Sequence, residues 1–454
     1  MAFYIFWAEP AALTQRGFGL VAHVPFVFNE NWKYHRESSN YLIERATCTW
    51  PDGGDQFVKR FPTKQSLQSY AESLTNFLEW ADLRGIDWRL ANYTEHLYGG
   101  YQKEMLSGRW SKAGDPLAPA TINRRVNEAC CFLSWAAAMG QRKEFQVLTE
   151  TIYRCDDFAI GSHGHRPKEI SSRIGRVRKN PKHLRLPTDK EIGRWLRFVE
   201  IQRGHTKELM CRLILDTGIR REEAACWRVD TLPECVEKWE VLGDQVKVSI
   251  KFGCKGQSYG DESGDKIGPE RSIWMSLSMA NQLHQYRRGP RLKSNALRVA
   301  EAKNKSEQRA RIAQPPPHLF LSEHNGRRIT GDSLYEAWTG ISYIPFSGWS
   351  PHAGRHWWAC KVLLHEHQKR KAQLGPLNIT KVPLDWISGN AISDIQLLIR
   401  PQLGHIDKTT TELYVQWVVK ILETEGVQFA YQDFLDEIEA KAACIDMEVL
   451  HGRA

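Results

Sequence analysis

A basic segment near the middle of the chain constrains most strongly how this protein can fold. Between Arg166 and Arg185 the sequence reads RPKEISSRIGRVRKNPKHLR, with eight lysines and arginines against one acidic residue, Glu169. A segment with so few apolar side chains cannot bury a core of its own. We therefore predict that residues 166–185 form an extended linker between two folded parts of the chain. The linker is either a solvated hinge or a strip that lies against the phosphates of a nucleic acid.

The length of the chain also fits a division into domains, because one hydrophobic core rarely serves more than about 250–300 residues and this chain has 454. Residues 1–62 are predicted as an N-terminal segment with a β-hairpin, since the runs YLIERATCTW and QFVKRF flank the turn residues PDGGD. This segment either forms a small arm that contacts DNA or packs against the residues that follow. Residues 63–165 are predicted as a helical domain, and residues 186–423 as a mainly helical domain with a small antiparallel sheet. Residues 424–454 are predicted as a helical tail that packs either on its own domain or on a neighbouring protomer.

Composition and charge narrow the class of protein. Hydrophobic residues make up 42% and charged residues 25% of the chain, as in soluble globular proteins, and no apolar stretch reaches the roughly 18 residues of a membrane span. The net charge of +9 favours a polyanionic partner. The ten cysteines show no C-x-x-C spacing, so neither disulfides nor a structural metal is expected. The short apolar N-terminus has no preceding basic region, which argues for a cytoplasmic protein without a signal peptide.

Helical periodicity dominates residues 63–165. Apolar residues recur at i, i+3, i+4 and i+7 over Leu67–Ala81, which predicts one helix, and further helices are predicted over Tyr93–Leu106 and Ala118–Gly140. The first turns of the third helix are predicted to contact nucleic acid, because helix N-termini attract phosphates and arginine reads guanine edges. The alternative is a solvated helix start. The predicted contacts are Thr121, Asn123, Arg124 and Arg125 on this helix and Arg173, Arg176, Arg178 and Lys179 in the linker.

Two short motifs in the second folded part carry residues suited to phosphate chemistry. LILDTGIRREEAACWRVDTL holds Arg220 and Glu223 in a TG-x-R-x-x-E pattern, and SPHAGRHWWAC holds His352 and Arg355 in an H-x-x-R-H pattern. A planar guanidinium matches two phosphate oxygens at once, so two arginines can clamp a phosphate group and stabilise charge that develops on it. Together these motifs predict a cationic site for a phosphodiester.

A third motif, PQLGHIDKTTTELYVQW, places Tyr414 nine residues after His405. The three motifs, in this order, resemble those of the tyrosine recombinase (phage integrase) family. The resemblance covers residues 186–418 well and residues 63–165 more loosely. It implies a mainly helical fold with a small antiparallel β-sheet in the catalytic domain, and two domains that form a C-shaped clamp around DNA.

The resemblance implies site-specific cleavage and rejoining of DNA strands. Tyr414 is the expected nucleophile, which would leave a 3′-phosphotyrosine and a free 5′-hydroxyl. Arg220 and Arg355 would stabilise the charge on the phosphate, and the cations around the phenol are expected to favour the phenolate. His352 and His405 would donate hydrogen bonds to the phosphate, and one of them would take the tyrosine proton.

Supporting residues complete the predicted site. Glu223 is expected to orient the arginines from behind, and His356 is predicted to be a packing residue. The family places a catalytic lysine in the turn of a β-hairpin, and KFGCKGQSYGDESGDKIGPERSIWMS is predicted to form that hairpin. Lys255 is the first choice for the proton donor to the leaving oxygen, with Lys266 and Lys251 as alternatives because the turn is unusually long.

No cofactor is expected, because one phosphoester replaces another and the reaction then needs neither ATP nor a metal. The sequence accordingly contains no P-loop motif and no metal-ligand spacing. The resemblance implies a homo-oligomer on double-stranded DNA, with a dimer on each site and a tetramer at synapsis, and it leaves room for accessory DNA-bending proteins or a partner recombinase. It also implies a bacterial, nucleoid-associated protein of a mobile genetic element.

Two alternatives use the same residues differently. A type IB topoisomerase or a telomere resolvase would direct the same chemistry to another end, and a DNA-binding regulator would keep the fold without catalysis. A regulator derived from an inactivated recombinase would lack at least one cationic residue or the tyrosine, and all are present in this chain. The helical domain and the tail favour recombination over a topoisomerase, which needs no partner protomer.

Overall fold

The computed structural model describes residues 2–50, 61–154, 168–178, 184–254, 259–260, 265–374, 384–404, 413–414 and 417. The chain divides into two compact units, unit 1 (Met1–Pro181) and unit 2 (Lys182–Ala454). The division lies inside the segment 166–185 that the charge pattern marks as a linker. The architecture is mainly α-helical with small antiparallel sheets. No helix in the described part of the chain is long and apolar enough to cross a membrane.

Unit 1 consists of helices and two small sheets. The helices are α1 (Pro10–Gln15), α2 (Arg36–Thr47), α3 (Lys64–Leu83), α4 (Lys103–Leu106) and α5 (Pro119–Ala138), with a 3-10 helix at Gly19–Val21 and a π-helix at Tyr93–Gln102 that runs into α4. Two antiparallel strand pairs join them, β1 (Phe3–Phe6) with β2 (Phe26–Asn29) and β3 (Thr149–Arg154) with β4 (Lys168–Arg173). The helices predicted from periodicity are confirmed as α3, α5 and the π-helix with α4.

Helices α3 and α5 form the centre of unit 1 because each has one continuous apolar face. Leu67, Leu74 and Phe77 of α3 are fully buried, and so are Ile122 and Leu133 of α5. They are separated by 7, 3 and 11 positions, which are close to whole numbers of helical turns and place them on the same side of each helix. The Thr63 hydroxyl caps α3 by accepting a hydrogen bond from the Ser66 amide at 3.2 Å.

The strand predicted over Tyr41–Trp50 is wrong, because most of this segment belongs to α2. Tyr41 and Leu42 are fully buried, and the Tyr41 ring packs edge-on against Phe132 and Trp135 with centroid distances of 5.5 and 5.6 Å. A short run with two adjacent apolar residues fits a strand or a helix equally well by periodicity. The helical conformation is favoured here because the aromatic side chains of α5 pack against one face of α2.

The N-terminal residues are part of the core of unit 1 and not a separate arm. Val24 and Val27 are buried in the same cluster as α3 and α5, and the Val27 amide donates to the Ser39 hydroxyl of α2 at 3.0 Å. The sheet β1–β2 contacts α3, where the Phe3 amide donates to Glu79 at 3.1 Å. The predicted turn and second strand at residues 51–60 lie outside the described residues.

A buried arginine at the end of β4 corrects two predicted nucleic-acid contacts. Arg173 is 7% exposed, and its guanidinium donates to Tyr93 Oη at 2.9 Å, to Gln102 Oε1 at 2.8 Å and to Asn123 Oδ1 at 3.2 Å. Asn123 in turn pairs with the backbone of Val177, as acceptor at 3.0 Å and donor at 2.8 Å. Both side chains are therefore engaged inside unit 1, where they fix the chain after β4 to α5 and to the π-helix.

Unit 2 contains the other described helices and a four-stranded antiparallel sheet with the order β5-β6-β8-β7. The strands are β5 (Glu240–Leu242), β6 (Gln245–Phe252), β7 (Tyr259–Gly260) and β8 (Lys266–Ser276). The helices are α6 (Asp189–Arg203), α7 (His205–Thr217), α8 (Arg221–Ala225), α9 (Leu277–Arg288), α10 (Pro290–Ala300), α11 (Lys305–Ala313), α12 (Gly331–Thr339), α13 (Pro351–Leu374), α14 (Leu384–Asp394) and α15 (Arg400–Leu403), with a 3-10 helix at Val236–Lys238 and a π-helix at Ile395–Ile399.

Helix α7 lies at the centre of unit 2. Its residues Leu209, Leu213 and Ile214 are buried, and it contacts α6, α12, α13 and β8. The rings of Trp195 of α6 and Trp338 of α12 contact each other at a tilt of 49°, with a centroid distance of 4.5 Å. The first residues after α7 belong to the first sequence motif, so the core of unit 2 determines where that motif lies.

We expect Arg173→Met to lower the free energy of unfolding by about 2–4 kcal/mol, because Tyr93, Gln102 and Asn123 each lose a buried hydrogen-bond partner. The matched control is Arg176→Met, whose side chain is exposed three residues further along the chain, and it should change stability by less than about 0.5 kcal/mol. Urea unfolding of the full chain, followed by circular dichroism, measures both. Equal stability of the two variants would contradict a structural role for Arg173.

Candidate active site

The first motif depends on a left-handed turn at the end of α7. Gly218 has a φ of 65°, a conformation that favours glycine. A Cβ at this position would lie 2.7 Å from the ring of Trp358 and 2.8 Å from the side chain of Leu403. Glycine is therefore required both by the backbone conformation and by the close approach of α13 and α15.

The turn leads to Arg220, which directly precedes α8 and is fixed at three points. Its amide donates to Glu223 Oε2 at 2.7 Å and its guanidinium to Glu223 Oε1 at 2.9 Å. A further guanidinium nitrogen donates to the carbonyl of Gly404 at 3.0 Å. Arg220 thus links the first motif to the residue that directly precedes His405.

Glu223 is the shared partner of three arginines. It is 1% exposed, and besides Arg220 it receives a bidentate pair from Arg271 at 2.7 Å per bond and lies 3.9 Å from Arg355. Burial by itself raises the pKa of Glu223, but the hydrogen bonds and charge of Arg271, followed by the charges of Arg220 and Arg355, outweigh it and lower the pKa to about 2. The carboxylate is therefore ionised throughout the neutral range.

Arg355, on the first turns of α13, is the most deeply buried cation of the site. It is 2% exposed, and its guanidinium donates to the carbonyl of Gly218 and, at 3.0 Å, to that of Leu403. Burial, and then the charge of Arg220, lowers the pKa of Arg355 to about 9, so the group remains protonated at neutral pH. Its two carbonyl contacts join the first motif to the segment that carries the third.

Arg271 is a component of the site that sequence motifs did not indicate. It lies on β8 on the same face as the buried residues Ile273 and Met275. Besides the bidentate pair with Glu223, its guanidinium donates to the Gln402 carbonyl at 3.2 Å and to Cys254 Sγ at 3.4 Å. The sequence feature that could have indicated Arg271 is its position two and four residues before two apolar core residues of one strand. An arginine on such a face is buried and therefore requires an acidic partner.

The tyrosine of the third motif contacts a histidine of the second. His356 Nδ1 lies 2.9 Å from Tyr414 Oη, at hydrogen-bonding distance, and the His352 and His356 rings meet edge-on at 4.4 Å. His352 and His356 are one helical turn apart on α13, which explains why their rings meet. The prediction that His356 only packs is thus corrected, because it is the described histidine that touches the phenol.

The phenol of Tyr414 lies in an apolar cluster that includes Ala359, Leu363 and Leu403, and it is fully buried. Burial raises the pKa of Tyr414 above its ordinary value, and the charge of Arg355 offsets this only in part. The charge of Arg355 acts in the expected direction, but the pKa of Tyr414 is raised and not lowered. Desolvation of the phenolate is the larger effect, and a proton acceptor is needed beside the hydroxyl.

The two remaining residues of the predicted catalytic set, His405 and Lys255, lie outside the described residues. Gly404, which directly precedes His405, contacts Arg220, and Cys254, which directly precedes Lys255, contacts Arg271. Of the alternative lysines, Lys251 is exposed on β6 beside the Phe252 ring at 5.5 Å, and Lys266 is exposed at the start of β8.

An open cleft of about 270 Å³ lies on the solvent side of these residues. Arg220, His352 and Arg355 line it together with Tyr335 and Ser350. Arg221 and Glu222, which pair with each other at 2.9 Å, also line it. Cations and hydrogen-bond donors in a cleft suit a phosphate group, whose oxygens accept several hydrogen bonds at once. Within the described residues, no group of three or more His, Cys, Asp or Glu side chains could hold a metal ion.

The other predicted nucleic-acid contacts lie on the surface of unit 1. Arg124 is exposed on α5, and Thr121 and Arg125 beside it are half-buried. Arg176 and Arg178 are exposed after β4, and Lys179 lies outside the described residues. Their contacts with nucleic acid stay predictions.

No family model matches the chain, and neither does any curated protein. Among solved structures it is similar to the XerH site-specific recombinase bound to a difH substrate, with 15% identity, 80% of each chain covered and a TM-score of 0.43. The Tn1549 transposon integrase in complex with circular intermediate DNA has 15% identity over 79% of this chain and 90% of that chain, with a TM-score of 0.40. A lambda integrase dimer bound to a core site has 11% identity over 83% of this chain and 94% of that chain, with a TM-score of 0.39. These three are tyrosine recombinases.

We expect Glu223→Gln to destabilise the protein by about 3–5 kcal/mol at pH 7, because the arginines lose the carboxylate that separates their charges. The pKa of Glu223 is lowered in the folded state, so its contribution is complete above pH 4.5 and is lost as the pH falls towards 2. The difference between wild type and variant should shrink by about 1.4 kcal/mol per pH unit below 4.5.

Urea unfolding at pH 7, 4.5 and 3.5 measures this difference. The control is Glu222→Gln, which changes the adjacent, exposed carboxylate that pairs with Arg221 at 2.9 Å. Equal effects of the two substitutions, or a Glu223 effect that is constant with pH, would refute the proposed ion pairing.

Proposed function

We propose that this protein is a site-specific DNA recombinase or integrase that cleaves and rejoins DNA strands through Tyr414. The observation that carries the proposal is the arrangement of Arg220 and Arg355, which come from motifs far apart in sequence, share Glu223 and line one cleft with His352. A hydroxyl nucleophile, Tyr414, contacts a histidine on the helix that also bears Arg355 and His352. This combination matches the needs of phosphodiester transesterification.

In the proposed reaction, Tyr414 Oη attacks the phosphorus atom of a phosphodiester. The new Oη–P bond forms as the bond from phosphorus to the 5′-oxygen breaks, which leaves a 3′-phosphotyrosine and a 5′-hydroxyl. Arg220 and Arg355 stabilise the negative charge that accumulates on the nonbridging oxygens. Attack by the 5′-hydroxyl of another strand reverses the step and releases the tyrosine.

Two proton transfers accompany this exchange. The phenol proton passes to a base, and His356 is suited to accept it because its Nδ1 lies 2.9 Å from Tyr414 Oη. The leaving 5′-oxygen takes a proton from an acid, for which we propose Lys255, with Lys266 and Lys251 as the alternatives. His352 and His405 are proposed to donate hydrogen bonds to the phosphate.

The proposal extends to unit 1 and to the assembly. Residues 63–165 are proposed to bind DNA through Arg124, Arg125 and Thr121, and residues 186–423 to carry catalysis. A dimer on each site and a tetramer of two joined sites are proposed from the family resemblance, with residues 424–454 as the contact between protomers. Light scattering of the complexes with one site and with paired sites measures these assemblies.

The same site supports two further readings of the chain's role. A topoisomerase or telomere resolvase would form the same phosphotyrosine bond, but it would relax or seal DNA and would not exchange strands between two sites. A DNA-binding regulator would bind duplexes without a covalent bond. The presence of the nucleophile, its histidine contact and both arginines in one unit favours an active enzyme over a regulator.

A covalent-trapping assay tests the proposed nucleophile. The protein is mixed with nicked duplexes taken from the ends of the genetic element that encodes it, without added metal, then denatured and separated on a gel. We expect an adduct with the wild type and none with Tyr414→Phe, because the phenylalanine ring lacks the attacking oxygen. Tyr343→Phe removes the hydroxyl of a half-buried tyrosine of unit 2 that packs against the core, is not among the cleft residues and should leave adduct formation intact.

Loss of the adduct in both variants would argue against Tyr414 as the specific nucleophile. Tight binding of these duplexes without any wild-type adduct would favour the regulator, and relaxation of supercoiled plasmid without strand exchange would favour a topoisomerase.

We expect the basic linker to add salt-dependent affinity for DNA. Replacing Arg176, Arg178 and Lys179 with Gln should weaken binding. It should also make the negative slope of log K against log salt shallower by about 1–3, since each phosphate contact contributes about −0.9 to that slope. The control replaces Lys33, Lys103 and Lys112, which are exposed cations of unit 1, and removes the same charge. An unchanged slope in the linker variant, or an equal change in the control, would contradict a phosphate contact by the linker.

A further inference from the structure

We infer that Arg271 is a positioning residue that neutralises Glu223 and so keeps the positive charge of Arg220 and Arg355 directed at a phosphate group in the cleft. The inference rests on the proposed function for its consequence in catalysis. Its electrostatic part concerns phosphate binding alone and can be tested without any DNA reaction.

The first step concerns how the carboxylate of Glu223 is occupied. Each of its oxygens accepts one bond from Arg271, both at 2.7 Å, and one from Arg220, at 2.9 Å from the guanidinium and 2.7 Å from the amide. A carboxylate has about four lone-pair positions, so these four bonds saturate it. The bidentate geometry with Arg271 also fixes the plane of the carboxylate, and this plane determines where Arg220 is held.

The second step concerns charge. Arg220, Arg271 and Arg355 surround one carboxylate, so two positive charges remain after Glu223 is neutralised. Arg220 and Arg355 line the cleft, whereas Arg271 lies behind them on β8 and is not among the residues of the cleft wall. Because Arg271 balances the charge of Glu223, the positive charges of Arg220 and Arg355 remain for an anion in the cleft.

The third step concerns what else Arg271 fixes. Its Nε donates to the Gln402 carbonyl at 3.2 Å, and a Cβ at Gly404 would lie 3.1 Å from the Arg271 side chain. Its guanidinium also contacts Cys254 Sγ at 3.4 Å, two residues after the end of β6. Arg271 is therefore the common contact of β8, α8 and the turn that ends α15. A lysine could supply the charge but not these several directed bonds.

The test measures the binding of inorganic phosphate by calorimetry at low ionic strength, together with the rate of adduct formation in a single turnover. We expect Arg271→Met to weaken phosphate binding about tenfold, because Arg220 and Arg355 alone would then balance Glu223 and the net positive charge beside the cleft would fall by one. Arg271→Lys should restore phosphate affinity to within about threefold of the wild type. Adduct formation should still be about 10–100-fold slower with Arg271→Lys, since the orientation of Glu223 and Arg220 is not restored.

The matched control is Arg228→Met. Arg228 is another buried arginine of unit 2, and it pairs with the buried carboxylate of Asp265 at 2.7 Å. Its loss should reduce thermal stability to a similar extent as the loss of Arg271 but leave phosphate affinity unchanged. Thermal unfolding of every variant shows that the binding data come from folded protein.

The outcomes separate this inference from the proposed function. Wild-type phosphate affinity in Arg271→Met, a failure of Arg271→Lys to restore binding, or equal losses in Arg228→Met would overturn the role of Arg271. Phosphate binding that depends on Arg271 in a protein that forms no adduct would support the inference and count against the recombinase proposal. Dependence of both readouts on Arg271 supports both.

Discussion

The buried carboxylate of Glu223 is the interaction on which the candidate site depends. A carboxylate at 1% exposure would be costly to ionise if it stood alone, and burial does act to raise its pKa. Three guanidiniums reverse this effect and lower the pKa to about 2. Because the three arginines come from the start of α8, from β8 and from α13, one carboxylate fixes two helices and a sheet relative to one another. The positions of the arginines that line the cleft are thus set by ionic contacts as well as by the apolar core.

A second buried carboxylate, that of Asp265, directly precedes β8 and lies six residues before Arg271. Asp265 is almost fully buried and contacts Arg228 at 2.7 Å and His318 at 2.7 Å, with Arg328 as a further partner. Asp265 and Arg271, at the two ends of residues 265–271, therefore both form buried ion pairs. Such pairs contribute little net stability compared with apolar packing, but they permit few alternative arrangements, because an unpaired buried charge is strongly unfavourable. This suits a strand that carries charged groups next to the candidate site.

Charged residues that look alike in sequence have different environments in the basic segment. Arg173 is buried among Tyr93, Gln102 and Asn123, whereas Arg176 and Arg178 are exposed. The buried arginine stabilises unit 1, and only the exposed ones are available to a polyanion. A run of cations thus contains both structural and surface charges, and counting them overstates the number of phosphate contacts.

Sequence was sufficient where the information is local. The periodicity of α3 and α5, the pairing of Arg220 with Glu223 three residues later, and the spacing of the three motifs all follow from neighbouring positions along the chain. Tertiary structure decided what depends on distant partners. Packing against the aromatic rings of α5 determined that α2 is a helix. The fold also places Arg271 of β8 against Glu223 and His356 against Tyr414. The physical reason is that burial and charge pairing depend on which groups surround a side chain in space, and those groups come from segments that no local pattern connects.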